Sequence, residues 1–225
     1  MNYGVIVAAG KSERMGPDVD KAFLSLGTRP VLAYSLIAFE KCLDIDGIIL
    51  VVRKDRVDSA RAMVQLFGCF KVKKVIAGGN TRQLSVKSGL SCLNHEVDVV
   101  AVHDGARPCI TPAIISETIK SAKAFGSGVA AVKITDTVKE VKKGLVVSKT
   151  IDRTMLWAVQ TPQTFKLSLL LKAFDAVNKK KLTVTDEASA VELVSHDVRL
   201  VPATLSNIKI TAPDDLTLAA ALLRL

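Results

Sequence analysis

Three cations crowd the loop after the first apolar run of the chain. Residues 5–23 read VIVAAGKSERMGPDVDKAF, and Lys11, Arg14 and Lys21 follow a small-residue turn at Ala8-Ala9-Gly10. Positive charge beside glycine suits an anion: Gly10 and Gly16 permit close backbone approach, so exposed amides can face phosphate oxygens while the side chains add charge. The two common phosphate cradles do not fit. A Walker A loop needs G-x-x-x-x-G-K-[ST], and Gly10-Lys11-Ser12 lacks that spacing. A dinucleotide fingerprint needs G-x-G-x-x-G after the strand, which is also missing. The loop reads as an anion site of another kind, or else as a solvated cationic loop.

Two further stretches could do chemistry. His103-Asp104-Gly105-Ala106-Arg107-Pro108 sets a carboxylate just past an apolar run. Asp104 there is a natural Mg²⁺ ligand, because Mg²⁺ takes one or two carboxylates plus substrate phosphates; alternatively it pairs with Arg107 and fixes the loop. His103 reads as a packed strand-end residue rather than a catalyst. Gly78-Gly79-Asn80 leads into a helical pattern, GGNTRQLS at 78–85, either an ordinary turn or one whose backbone meets a base or ribose. No Ser/His/Asp or Cys/His set stands in convincing context, so covalent catalysis is unsupported.

The elements that must position these groups alternate. Strand-like runs GVIVAA (4–9), GIILVV (47–52), KVIAG (74–78), VDVVAVH (97–103) and GVAAVKI (128–134) are separated by helical patterns VLAYSLIAFEKC, VDSARAMVQLFG, RQLSVKSGLSCL and PAIISETIKSAKAF. Unbroken apolar runs joined by helices predict parallel strands buried on both faces, hence an α/β fold with a doubly wound sheet. Ligands of such sheets bind beyond the carboxyl ends of the strands. The loop at 8–21, GGNTRQLS, HDGARP and Thr135-Asp136-Thr137 all fall on that rim.

Residues 135–160 break the rhythm. Val138, Val141, Leu145, Val146 and Val147 flank a Lys-Lys-Gly turn, which predicts a β-hairpin that must pack on something, since a two-stranded ribbon is marginal alone. The chain resumes with KLSLLLKAFDAV, DEASAVELV, the strand VRLVPA, the run NIKI and a last helix from Asp214.

At 225 residues and 49% hydrophobic, the chain suits one large domain. No signal peptide or membrane span is expected, because the first apolar run is only about six residues long. Cys42, Cys69, Cys92 and Cys109 are widely spaced, without a C-x-x-C pair, and read as reduced core residues of a cytoplasmic protein. The net charge of +9 raises nucleic acid as a partner. With two Tyr and one Trp there is little to stack bases on, and Lys179-Lys180-Lys181 reads as a solvated turn, so small anions are the better fit and no nucleic acid is expected.

Taken in order, AAGKSERMG, DKAF, GGNTRQLS, HDGARP, TDT, TIDRTMLWAVQTPQTF, TDEASAVE and NIKIT resemble the 2-C-methyl-D-erythritol 4-phosphate cytidylyltransferase family of the non-mevalonate isoprenoid pathway, over essentially the whole chain. Ribitol-5-phosphate cytidylyltransferases are similar in pattern and stand as the alternative. The resemblance implies one nucleotidyltransferase domain (1–225), with 135–160 as an inserted arm that joins a homodimer. It implies CTP held by Ala8, Ala9, Gly10, Gly79, Asn80, Ser85 and Gly105, with Arg14 and Lys21 clamping phosphates. It further implies Mg²⁺ on Asp104, acceptor contacts from Asp104, Arg107, Thr137, Arg153 and Lys209, and pocket positions at Thr161 and Asp186. Arg14, Lys21 and Lys209 would be catalytic. The family position at Asn80 is often Asp, so a carboxylate contact to ribose would become an amide contact here.

Overall fold

Apolar residues fill β1 (Asn2–Ala8) on both faces, which places it at the centre of the sheet. The computed structural model describes residues 1–10, 15, 19–195 and 197–225. Lys11, Arg14 and Gly16 lie outside the described residues.

A small hairpin, β2 (Ser25–Leu26) and β3 (Arg29–Pro30), turns at Gly27, whose φ of +60° favours glycine. Then come α1 (Val31–Lys41), β4 (Gly47–Val52), α2 (Val57–Leu66), β5 (Val72–Ala77), α3 (Arg82–Leu90), β6 (Val99–Asp104), α4 (Pro112–Phe125) and β7 (Ser127–Lys133). Next are a ribbon of β8 (Val138–Val141) and β9 (Val147–Ile151), then β10 (Trp157–Lys166), α5 (Leu167–Lys179), α6 (Glu187–Val191), β11 (Leu200–Pro202) and α7 (Asp214–Leu223). The seven-stranded sheet has the order β11-β7-β10-β6-β1-β4-β5. β1 pairs parallel with β4 and β6, β4 with β5, and β7 with β11; β10 alone is antiparallel, between β6 and β7.

Alternate residues of each strand serve opposite cores, as the two-residue period of a strand requires. Ile6 and Ala8 join Leu32, Leu36 and Phe39 of α1 and Ile115 and Ile119 of α4. Val5 and Val7 join Val86 and Leu90 of α3 and Leu170 and Phe174 of α5. Each such buried Leu, Ile or Phe contributes roughly 1.5–3 kcal/mol. Local signals place the helix ends: Thr81 caps α3, accepting from Leu84 N at 3.1 Å, and Thr111 caps α4, which has Pro112 in its first turn and closes on Gly126 at φ 88°.

The expected α/β architecture with a mostly parallel sheet is present. Two details differ from the sequence reading. The ribbon β8–β9 occupies 138–151, and residues 157–160, expected in the arm, open β10 of the central sheet. That strand escapes an apolar-run criterion because its middle is polar and nonetheless buried: Gln160, Thr161, Gln163 and Thr164. Buried polar groups must be hydrogen-bonded, and these are, through partners remote in sequence. Gln160 and Thr161 O accept from Asn207, Gln163 bonds Asp186 and the amide of Ala188, and Thr164 bonds Thr118. Pro162, which cannot donate to a ladder, sits where the pairing with β7 shifts register, between Val159 and Gln163.

Candidate active site

Parallel pairing in register sets the carboxyl ends of β1, β4 and β6 side by side: Ala8 lies opposite Val52, and Val7 opposite Asp104. Beyond them opens a cavity of about 220 Å³. It is lined by three chain segments, Ala8-Ala9-Gly10, Asp20-Lys21-Ala22 and the start of α3 with Asn80, Thr81, Arg82 and Ser85. Asp104, Ala106 and Lys209 complete it. A neighbouring hollow of about 190 Å³ shares Ala9 and Asn80 and is lined by Gly78 and Gly79.

The small residues are demanded by close approach. A Cβ at Gly78 would sit 2.6 Å from Ala9 Cβ, and one at Gly105 would sit 2.7 Å from Leu32. Gly105 therefore packs beneath Ala8 rather than lining the cavity. Ser85 shapes the glycine turn: its Oγ accepts from Gly79 N at 3.2 Å and donates to Thr81 O at 2.9 Å.

Asp104 is the electrostatic centre. Its Oδ1 accepts from Arg82 Nε at 2.9 Å and its Oδ2 from Lys209 Nζ at 2.7 Å, with Arg107 Nε 4.0 Å away. Burial alone would raise its pKa, but Arg82, Lys209 and Arg107 overturn that and hold the carboxyl far below the usual range. Its amide donates to Thr161 Oγ1 at 3.0 Å. Lys209 reaches the site from a segment anchored by Ile210 N on Ala106 O (2.8 Å) and by Asn207, whose carbonyl accepts from Arg107 at 2.7 Å.

Two of these charges were not singled out in the sequence. Arg82 donates to both oxygens of Glu187, at 2.7 and 2.9 Å, and Glu187 is 1% exposed. Burial works against the charged guanidinium, but Glu187 and Asp104 together outweigh it and raise the pKa of Arg82. Burial pushes Glu187 up, opposed by Arg82; the fork of two donors on two oxygens requires the carboxylate form. Arg82 sits inside GGNTRQLS and Glu187 inside TDEAS, so a charged residue in each motif was the available signal. Asp20 was also missed: its buried carboxylate accepts from Ala22 N at 3.2 Å and lies 3.6 Å from Arg56 Nε, which steadies the backbone at Lys21.

The other expected positions divide. Ala8, Ala9, Gly10, Lys21, Asn80, Ser85, Asp104 and Lys209 line the main cavity, and Gly79 lines its neighbour. Arg107 and Thr161 stand behind Asp104. Asp186 caps α6 instead, with Oδ1 accepting from Ser189 N at 2.9 Å and Oδ2 from Gln163 at 2.9 Å. Thr137 and Arg153 are exposed at the base of the ribbon and do not line their own chain's cavity.

His103 is fully buried against Phe39, ring centroids 5.2 Å apart, with Nδ1 3.1 Å from Thr161 Oγ1. Burial pushes its pKa down to about 3, so the ring is neutral. An unfolded histidine takes its proton near pH 6.5. Between those values the unfolded chain binds more protons, so stability falls as pH drops, by up to about 1.4 kcal/mol per pH unit for this group. Chemical denaturation of the metal-free protein from pH 6.5 to 5 should show that slope, and His103→Gln should flatten it. An unflattened slope would remove His103 as its source.

The family model described as 2-C-methyl-D-erythritol 4-phosphate cytidylyltransferase (IspD) matches residues 3–225. The chain belongs to this family. It is 40% identical over 221 residues to the protein of that name from Alkaliphilus oremlandii, covering 98% of this chain and 94% of the relative. It is 43% identical over 220 residues to that from Dehalococcoides mccartyi, covering 98% and 95%. The crystal structure of 4-diphosphocytidyl-2C-methyl-D-erythritol synthase from Anaerococcus prevotii superimposes with a TM-score of 0.87 at 30% identity, covering all of this chain and 96% of that one. The Thermus thermophilus cytidylyltransferase gives 0.81 at 29% identity, covering 98% of each. The chain is thus a nucleotidyltransferase by family. Among the described residues no helix is long and apolar enough to cross a membrane.

Proposed function

We propose that the enzyme transfers the cytidylyl group of CTP to 2-C-methyl-D-erythritol 4-phosphate, giving 4-diphosphocytidyl-2-C-methyl-D-erythritol and pyrophosphate. The observation that carries this reading is a cavity that Lys21 and the Ala8-Ala9-Gly10 turn line together with Asp104 and its partners Arg82 and Lys209, and that shares Asn80 with the hollow at Gly79. One polyanion with a base at one end matches that cavity. Ribitol 5-phosphate is the alternative acceptor, and the relatives' names favour methylerythritol phosphate. A pyrophosphate-release assay with CTP and each polyol phosphate decides: release with ribitol 5-phosphate in preference would overturn the assignment.

The acceptor needs no general base. A phosphate monoester has a second pKa near 6 and is largely dianionic at neutral pH, and the neutral, enclosed His103 offers no competing route. The protein therefore aligns the two phosphates and stabilises charge around the α-phosphorus, the task of Lys21, Arg14 and Lys209. Ala8, Ala9, Gly10, Gly79, Asn80 and Ser85 hold the nucleoside. Arg107, Thr137 and Arg153 bind the acceptor phosphate, with Thr137 and Arg153 reaching the partner's cavity in a homodimer. Four free cysteines, three of them buried, support a reducing, cytoplasmic setting.

Mg²⁺ fits Asp104. Arg82 and Lys209 take one acceptor direction on each oxygen, and a carboxylate has about four. Mg²⁺ commonly takes one or two carboxylates and completes its shell with substrate phosphates and water. When bound, Mg²⁺ supplies charge neutralisation at the triphosphate. Asp104→Asn should raise the Mg²⁺ concentration for half-maximal rate. It should also cost roughly 3 kcal/mol or more of stability, because Lys209 and Arg107 lose their counter-charge and Arg82 keeps only Glu187. Lowered stability with unchanged metal dependence would show Asp104 to be a structural partner only.

A further inference from the structure

We infer that Glu187 is a positioning residue, acting through Arg82 to fix the orientation of Asp104; the inference rests on the reaction proposed above. Three elements distant in sequence meet in this relay. Glu187 opens α6, Arg82 opens α3, and Asp104 ends β6.

A carboxylate's terminal torsion is broad, so Asp104 could turn either oxygen to the cavity. Arg82 Nε holds Oδ1 at 2.9 Å, and that leaves Oδ2 to Lys209 at 2.7 Å. What keeps Arg82 to a single bond on Asp104 is Glu187, which takes both terminal nitrogens and so sets the plane of the guanidinium. An arginine left alone with a carboxylate prefers two parallel bonds. Without Glu187, Arg82 is free to swing onto both oxygens of Asp104 and displace Lys209 from Oδ2. Glu187 also shares the charge of Arg82, which leaves Asp104 more negative toward the cavity.

The polar strand β10 anchors both ends of the relay. Thr161 accepts from Asp104 N at 3.0 Å. Two residues on, Gln163 donates to Asp186 and accepts from Ala188 N, each at 2.9 Å, and so grips the residues on either side of Glu187. A buried run of Gln and Thr in a central strand thereby has a physical reason.

Glu187→Gln keeps the shape and removes the charge. At saturating Mg²⁺ its kcat should fall roughly 10- to 100-fold, the usual effect of losing a partner behind a ligand, with KM for CTP nearly unchanged because the glycine turn is untouched. CTP binding measured by calorimetry without acceptor should need more Mg²⁺. In an Asp104→Asn background the same change should cost no further kcat, since a residue acting through another has nothing left to act on. Losses that multiply, or wild-type kcat in folded Glu187→Gln, overturn the inference. If Glu187→Gln fails to fold, Glu187→Asp serves, because it keeps the charge and shortens only the reach to Arg82; it should likewise add no loss to Asp104→Asn. Wild-type turnover with the acceptor tests the reaction itself, separately from these comparisons.

Discussion

Lys21→Ala should turn over CTP and acceptor roughly 10²- to 10³-fold more slowly than wild type, the size of effect when one preorganised contact to developing charge is lost. Lys21 lines the same cavity as Asp104 and Lys209. Its backbone is already placed: Asp20 beside it accepts from Ala22 N, and Leu32 N donates to Ala22 O at 2.9 Å. The charge therefore costs no reorganisation when the α-phosphorus becomes crowded. The side chain is half-buried at the cavity and its removal opens no core, so the thermal midpoint should stay near wild type. Arg14→Ala should behave alike, on the sequence argument for the same loop. Steady-state kinetics and thermal unfolding, measured together, check both. Turnover like wild type in folded Lys21→Ala protein would remove it from the catalytic role.

Mixing two inactive variants should recover roughly a quarter of wild-type activity. The ribbon presents Val141, Leu145, Val146 and Val147 to solvent, Leu145 at 85% exposure, and a two-stranded ribbon does not bury such residues unaided. Arg153 and Thr137 at its base are outside their own chain's cavity. An isologous pair would bring each arm to the partner's site, reciprocally. Lys21→Ala and Arg153→Ala homodimers would then each have two damaged sites. A mixed dimer would collect both lesions in one site and leave the other intact, and random pairing makes about half of all dimers mixed. Co-refolding followed by the pyrophosphate assay reads the recovery. No recovery, with mixed dimers demonstrated by mass, would mean that Arg153 acts within its own subunit.

Much of this architecture was legible in residue order. GIILVV and PAIISETIKSAKAF match β4 and α4 end to end, because an unbroken apolar run and a Thr-Pro start with a Gly stop are local signals. The site's rim followed from the same alternation, since parallel strands bring their carboxyl ends together whatever their sequence. Asp104, Lys21 and the glycine turn were therefore expected at this rim from type and place, and they line its cavities.

Tertiary structure alone decided the rest. Glu187 and Arg82 are 105 positions apart, Arg82 and Asp104 are 22 apart, and nothing local marks them as partners. Whether such a charge is solvated or buried depends on which chain segment arrives to desolvate it. The same holds for Gln160 to Thr164, which the apolar-run pattern did not mark as a central strand because they are polar, yet they pair between β6 and β7 with side chains satisfied by Asn207, Asp186 and Thr118. Periodicity reports where apolar surface must leave water, and it is silent on polar groups whose burial depends on partners brought by the fold.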